Sequence, residues 1–104
     1  MKVQFFDNTL ENFISNLEKA AIAKVLRTIE LLDQFGYELG MPHSKKVADK
    51  LFELRVRGQQ EVRILYTFHQ NTIILLHGFV KKSQSIPSKE LKTAQNKLLT
   101  LDNI

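Results

Sequence analysis

The 104-residue sequence contains no cysteine, and that absence removes a disulfide framework, a thiolate metal site and a cysteine nucleophile together. No segment approaches the ~18 consecutive apolar residues of a membrane span. The opening MKVQFFDNTLENF meets acidic residues before any apolar run of signal-peptide length, which predicts a cytoplasmic protein without a membrane partner. Repeats and low-complexity stretches are missing. So are a phosphate-binding glycine loop, a dinucleotide fingerprint and a serine–histidine–aspartate constellation, so a nucleotide-dependent enzyme is not expected. His43, His69 and His77 are scattered without paired carboxylate spacing, and neither a metal nor another cofactor is expected.

What is present is ordinary globular material, 43% hydrophobic and 25% charged, long enough to bury a core as one domain spanning residues 1–104. The net charge of +4 is unevenly spread. Residues 1–40 carry four basic against six acidic side chains, or −2, and residues 41–104 carry eleven against five, or +6. The basic part is the candidate for a polyanionic partner.

KVQFF, closed by Asp7 and Asn8, predicts a first strand followed by a helix N-cap. Leu10, Phe13, Ile14 and Leu17 recur at helical spacing, as do Ile22, Val25, Leu26, Ile29 and Leu32, and a phase shift near residues 18–20 predicts two helices. GYELGMPHSKK predicts a loop. LFELRVR, EVRILYTF and NTIILLHGFV then predict three antiparallel strands in a meander, turning at Gly58, Gln59 and Gln60 and again at His69, Gln70 and Asn71. Pro87 and Glu90 open a C-terminal helix with Leu91, Ala94, Leu98 and Leu101 on its buried stripe. The expected fold class is α+β, an N-terminal strand and two helices packed on a small antiparallel sheet, then a final helix.

Alternation puts Phe52, Leu54, Val56, Val62, Ile64, Tyr66 and Phe68 on one face of that sheet, toward the helices. The other face receives Glu53, Arg55, Arg57 and Arg63, with Arg55 and Arg63 almost opposite each other. Like charges so opposed are unfavourable unless an anion or a carboxylate lies between them. Guanidinium forks match phosphate geometry, so this face is either a phosphate site or a solvated Arg/Glu surface. His77, inside the apolar run TIILLHGF, is either a hydrogen-bonded core residue or an acid–base group. Lys45, Lys46 and Lys50 add a basic run before the first hairpin strand. Lys81 and Lys82 stand where strand gives way to helix; alternation points them in different directions, so only one is expected to reach the arginine face.

The ELR at 53–55, VRILY at 62–66, HGFVKKSQSIP at 77–87 and Ala94 together resemble the RelE/ParE superfamily of toxins from type II toxin–antitoxin modules, nearest its HigB-like, phage-derived branch. The resemblance implies a RelE-like toxin domain that cuts messenger RNA on the ribosome without a metal, by attack of the ribose 2′-OH on the adjacent phosphate. It assigns Arg63 to transition-state charge, Lys82 and then Lys81 to the basic catalytic position, and Arg55 to phosphate binding or assistance of a base. Glu53 is either that base or a structural partner. Several relatives carry a tyrosine or histidine in the C-terminal segment where KKSQSIPSKE has neither, which leaves Lys82 and His77 as competing general acids. Lys45, Lys46, Lys50 and Arg57 become RNA contacts. The implied partners are messenger RNA, the ribosome and a cognate antitoxin with a helix-turn-helix domain, joined in a toxin–antitoxin hetero-oligomer. A ParE-like inhibitor of DNA gyrase that cuts nothing, or a non-toxic basic nucleic-acid-binding domain, would use much the same fold.

Overall fold

In the computed structural model, which describes residues 1–102, the first strand β1 (Lys2–Phe5) ends at Asp7, whose carboxylate accepts the Thr9 N–H at 3.1 Å. That cap opens α1 (Asn8–Ser15), and α2 (Lys19–Phe35) follows after a short break, so the two helices are divided close to where the apolar phase shifts. At Gly36 the backbone adopts φ +52°, a left-handed conformation that a side chain would strain, and α2 stops.

Three long strands follow the expected runs: β3 (Leu51–Val56), β4 (Val62–His69) and β5 (Thr72–Val80). Gln70 and Asn71 both take positive φ, which suits a two-residue turn matched to strand twist. α3 (Ser88–Asp102) closes the described chain. Among the described residues no helix is long and apolar enough to cross a membrane.

The α+β architecture is as expected, but with β2 at Ser44–Ala48 the sheet has five strands in the order β1-β5-β4-β3-β2 where a meander of three was foreseen. β1 pairs in parallel with β5, Val3 beside Ile73. The other edge strand, β2 (Ser44–Ala48), lies partly inside GYELGMPHSKK, which the glycines and proline mark as loop. Its lysines hide its strand character, because an edge strand keeps one side open to water and tolerates charge. The Ser44 hydroxyl meets the buried Tyr66 hydroxyl and pins this edge to β4. Burial raises the Tyr66 pKa, and the Ser44 hydrogen bond offsets part of that shift.

Two cores lie on opposite faces. Leu54, Ile64, Tyr66 and Leu75 face Leu10, Ile14, Val25 and Leu32 of α1 and α2. Gly78 allows this approach: a Cβ there would stand 2.7 Å from Leu10 Cδ1 and 2.8 Å from Phe13. On the other face Leu51, Leu65, Ile74, Leu76 and Phe79 lie under α3, with Ala94 fully buried at the contact. Each fully buried Leu or Ile contributes ~1.5–3 kcal/mol. A bulge opposite Leu65 and Tyr66 leaves Leu76 unpaired, so Leu76 and His77 both turn toward α3. Lys97 ties that helix down: its ammonium donates to the Leu76 carbonyl at 2.9 Å and pairs with Asp7 at 3.2 Å.

Candidate functional site

The β3–β4 register sets Arg55 directly opposite Arg63 and Val56 opposite Val62. Two guanidiniums thus leave neighbouring strands on the face that carries α3, at the end of it that lies outside the apolar contact with the helix. Between them stands Glu53, with Oε1 3.7 Å from Arg55 Nε and Oε2 3.6 Å from Arg63 Nε. Glu53 is 3% exposed and Arg63 2%. At such distances and an effective dielectric near 20, each attraction is about 4 kcal/mol, comparable to the several kcal/mol that each buried ion loses in desolvation. The carboxylate therefore makes the arginine pair tolerable. Glu53 Oε2, Arg55 Nε and Arg63 Nε have no hydrogen-bond partner, so charge rather than hydrogen bonding holds this edge of the cluster.

Each of the two terminal nitrogens of Arg63 also makes a hydrogen bond. Nη1 donates to the Val62 carbonyl at 3.0 Å and Nη2 to Glu61 Oε1 at 3.2 Å. Glu61 also stands 3.7 Å from Arg57 Nη1, and its Oε2 accepts the Gly58 N–H at 3.0 Å. The Gly58 N–H, then the Arg63 and Arg57 charges, hold its carboxyl below the usual carboxylate range against the opposing effect of burial.

Lys45, Arg55, Arg57, Arg63, Lys81 and Lys82, with Glu53, Glu61, Ser83 and Gln84, line an open basin of about 550 Å³. Six cationic side chains meet two carboxylates there, which makes the basin attractive to a nucleotide-sized anion. The Lys81 N–H donates to the Glu61 carbonyl at 2.7 Å and carries the strand pairing one residue past β5. Both lysines line the basin, in contrast to the expected divergence, because Lys82 lies beyond β5 where alternation no longer governs direction.

The other candidates are dispersed. His77 shares the α3 side of the sheet, but its Nε2 lies 2.9 Å from Glu90 Oε1 and its ring stacks near Phe79, away from the basin lining. Lys46 borders an adjoining groove with Lys45, Lys81 and Ile86. Lys50 sits at the β2–β3 turn with φ +58°, beside Lys92 and Leu99 in a separate groove. His43 and His69 are also outside the basin. Glu61 is the site residue that sequence reasoning passed over; its position two residues before Arg63, on the same side of the strand pattern, was the available signal. Among the described residues no group of three or more His, Asp or Glu lies close enough to hold a metal ion.

The model of the family described as phage derived protein Gp49-like matches residues 12–99, a span containing the whole basin. No curated protein matches in sequence. Among solved structures, the fold is similar to a chain in the crystal structure of the heterotetrameric YoeB–YefM toxin–antitoxin complex from Staphylococcus aureus, with a TM-score of 0.53 and 18% identity over 72% of this chain and 90% of that one. A further YoeB–YefM complex from the same organism gives the same TM-score of 0.53 and identity of 18%.

Proposed function

The chain belongs to the phage-derived Gp49-like family, and from that premise we propose that it is the toxin of a type II toxin–antitoxin module, a ribosome-dependent endoribonuclease of the HigB-like branch. The observation that carries this reading is the basin, where opposed arginines and two lysines converge on a nucleotide-sized space. The 2′-OH of the substrate attacks the adjacent phosphate, and cleavage leaves a 2′,3′-cyclic phosphate and a 5′-oxygen that must be protonated. Arg55, Arg57 and Arg63 stabilise the charge that builds on the phosphate, since preorganised cations lose little reorganisation energy during the reaction. A protonated Lys82 or Lys81 gives the leaving 5′-oxygen its proton, and the proton of the attacking 2′-OH passes to solvent water. Glu53, enclosed by arginines, orders them rather than acting as base. The need for a 2′-OH restricts the chemistry to RNA.

The resemblance to a YoeB–YefM complex supports an antitoxin as physiological partner, one carrying a helix-turn-helix domain and held with the toxin in a hetero-oligomer in the cytoplasm. Messenger RNA on the ribosome is the substrate. Mapping RNA 5′ ends after brief induction tests the reading: new ends inside translated frames are expected. Intact messenger accompanied by supercoiling defects would overturn it in favour of gyrase inhibition. Removing a charge that acts in the transition state costs ~10²–10³-fold in rate, so Arg63→Ala is expected to restore growth. Lys82→Met, at an exposed position, separates lost chemistry from lost fold.

A further inference from the structure

Glu61 is arranged around its donors as a phosphate would be. One oxygen stands between two guanidiniums, 3.2 Å from Arg63 Nη2 and 3.7 Å from Arg57 Nη1. The other takes the backbone N–H of Gly58 at 3.0 Å. Guanidinium pairs joined by a backbone N–H are common donors to phosphate oxygens.

Arg63 has its Nη1 on the Val62 carbonyl and its Nε against Glu53, without a hydrogen bond. Nη2 is the nitrogen that Glu61 occupies, so displacement of Glu61 opens it to a ligand. Exposure decides which partner yields. Arg63 is 3% exposed at its side chain and fixed from three directions, whereas Glu61 is 35% exposed and Arg57 58%. Glu61 also begins at the end of a turn rather than within a strand, since β4 starts at Val62.

We propose that Arg57, Arg63 and the Gly58 N–H form a phosphate subsite, filled in the unliganded protein by the chain's own Glu61 and vacated when a phosphate group displaces it. The assignment rests on the endoribonuclease reading only for the identity of that phosphate, a backbone phosphodiester of RNA. Glu61 is then a positioning residue. It supplies the counter-charge a buried arginine needs while the site is empty, and it sets an affinity threshold that an anion must overcome. Lys81 and Lys82, on the same basin, face the arriving group but do not contact the carboxylate of Glu61 within ion-pair distance.

Calorimetric titration of the whole protein with inorganic phosphate, and separately with a 2′-O-methyl oligoribonucleotide that lacks the nucleophile, tests the assignment. Glu61→Gln keeps an oxygen for the Gly58 N–H and removes the competing charge, so both ligands are expected to bind at least about fivefold more tightly. Adding Arg57→Ala to that variant should reverse the gain. Glu18→Gln removes the same charge from the far side of the β3–β4 turn, where Glu18 N–H meets Gln60 Oε1 at 3.0 Å, and should leave both affinities unchanged. Equal or weaker binding by Glu61→Gln overturns the proposal. A similar gain in Glu18→Gln, or a gain for the oligonucleotide alone, also overturns it, since either would report general attraction rather than a vacated site. If neither form binds phosphate the subsite does not exist, and the RNA 5′ ends still judge the endoribonuclease reading separately.

Discussion

Arg63 and Leu65 lie two residues apart on β4 and point to the same face of the sheet, yet their surroundings are opposite. Leu65 is sealed beneath α3 with Leu76 and Ala94. Arg63 is as deeply buried, but among carboxylates and arginines at the floor of an open basin. One end of the face is closed by dispersion and apolar burial, the other by charges that balance each other. The difference teaches where this small protein keeps its rigidity: α3 anchors the strands from which the charged side chains project.

The comparison is broken most severely by removing its central carboxylate. Glu53→Ala leaves Arg55 opposite Arg63 without the carboxylate between them, Arg63 keeping only the more exposed Glu61, and loss of one partner from a buried ionic cluster costs about 3–5 kcal/mol. Urea denaturation should show that loss. The double variant Glu53→Leu with Arg63→Met should recover much of it, because apolar replacements of similar volume are often neutral or stabilising. Recovery must come without phosphate binding. A double variant as unstable as the single one would show that the ions themselves hold the hairpin.

At the apolar end the expected signature is reversed. Leu65→Ala opens a cavity beneath α3 and should cost about 3 kcal/mol, within the range for buried leucine truncations. Phosphate affinity measured in the Glu61→Gln background should stay within about twofold of its value with Leu65 intact, since ordinary independent sites add. Loss of affinity alongside stability would mean that the two ends are coupled through β4.

How much of this division was legible follows from what strand alternation can and cannot carry. Val62, Ile64 and Tyr66 fall on one face and Arg63 and Leu65 on the other by spacing alone, and a short turn brings Arg55 opposite Arg63. The opposed pair called for an anion or a carboxylate between them, and Glu53 stands there. The same reading failed for β2, where Lys45 and Lys46 lie on an open edge and give no apolar alternation. The parallel seat of β1 on β5 is a long-range choice that no local pattern encodes. Lys81 and Lys82 were both candidates, but that both line the basin escaped because the strand ends at Val80. Glu61 escaped because its part depends on a side-chain conformation reaching back to Gly58.

A milder intervention touches the link between the two ends. Lys97 reaches from α3 to the Leu76 carbonyl and to Asp7, the cap of α1, and stands 5.5 Å above the Phe6 ring. Lys97→Met keeps most of the alkyl stem and removes a charged hydrogen bond, for an expected loss of about 1.5 kcal/mol. Hydrogen exchange should quicken first in α3, with the β3–β4 hairpin protected as before. Faster exchange in the hairpin at the same time would mean that α3 supports the basin continuously.

The smallest effect is a pH dependence confined to the charged end. The Gly58 N–H and the Arg63 and Arg57 charges depress the Glu61 pKa below its ordinary value of 4.5. A carboxyl more acidic in the folded than in the unfolded chain stabilises fully above the unfolded value, and that contribution disappears as pH falls through the folded value. Glu61 is 35% exposed, so solvent screening limits the contribution to ~0.5 kcal/mol. Urea midpoints measured from about pH 7 down to about pH 3 should therefore separate wild type from Glu61→Gln at the upper end and converge at the lower. Leu65→Ala should run parallel to wild type throughout. A gap between wild type and Glu61→Gln that persists undiminished to the acid limit would place the stabilisation in hydrogen-bond geometry at Gly58 rather than in charge, and would weaken the case that a phosphate can take Glu61's place.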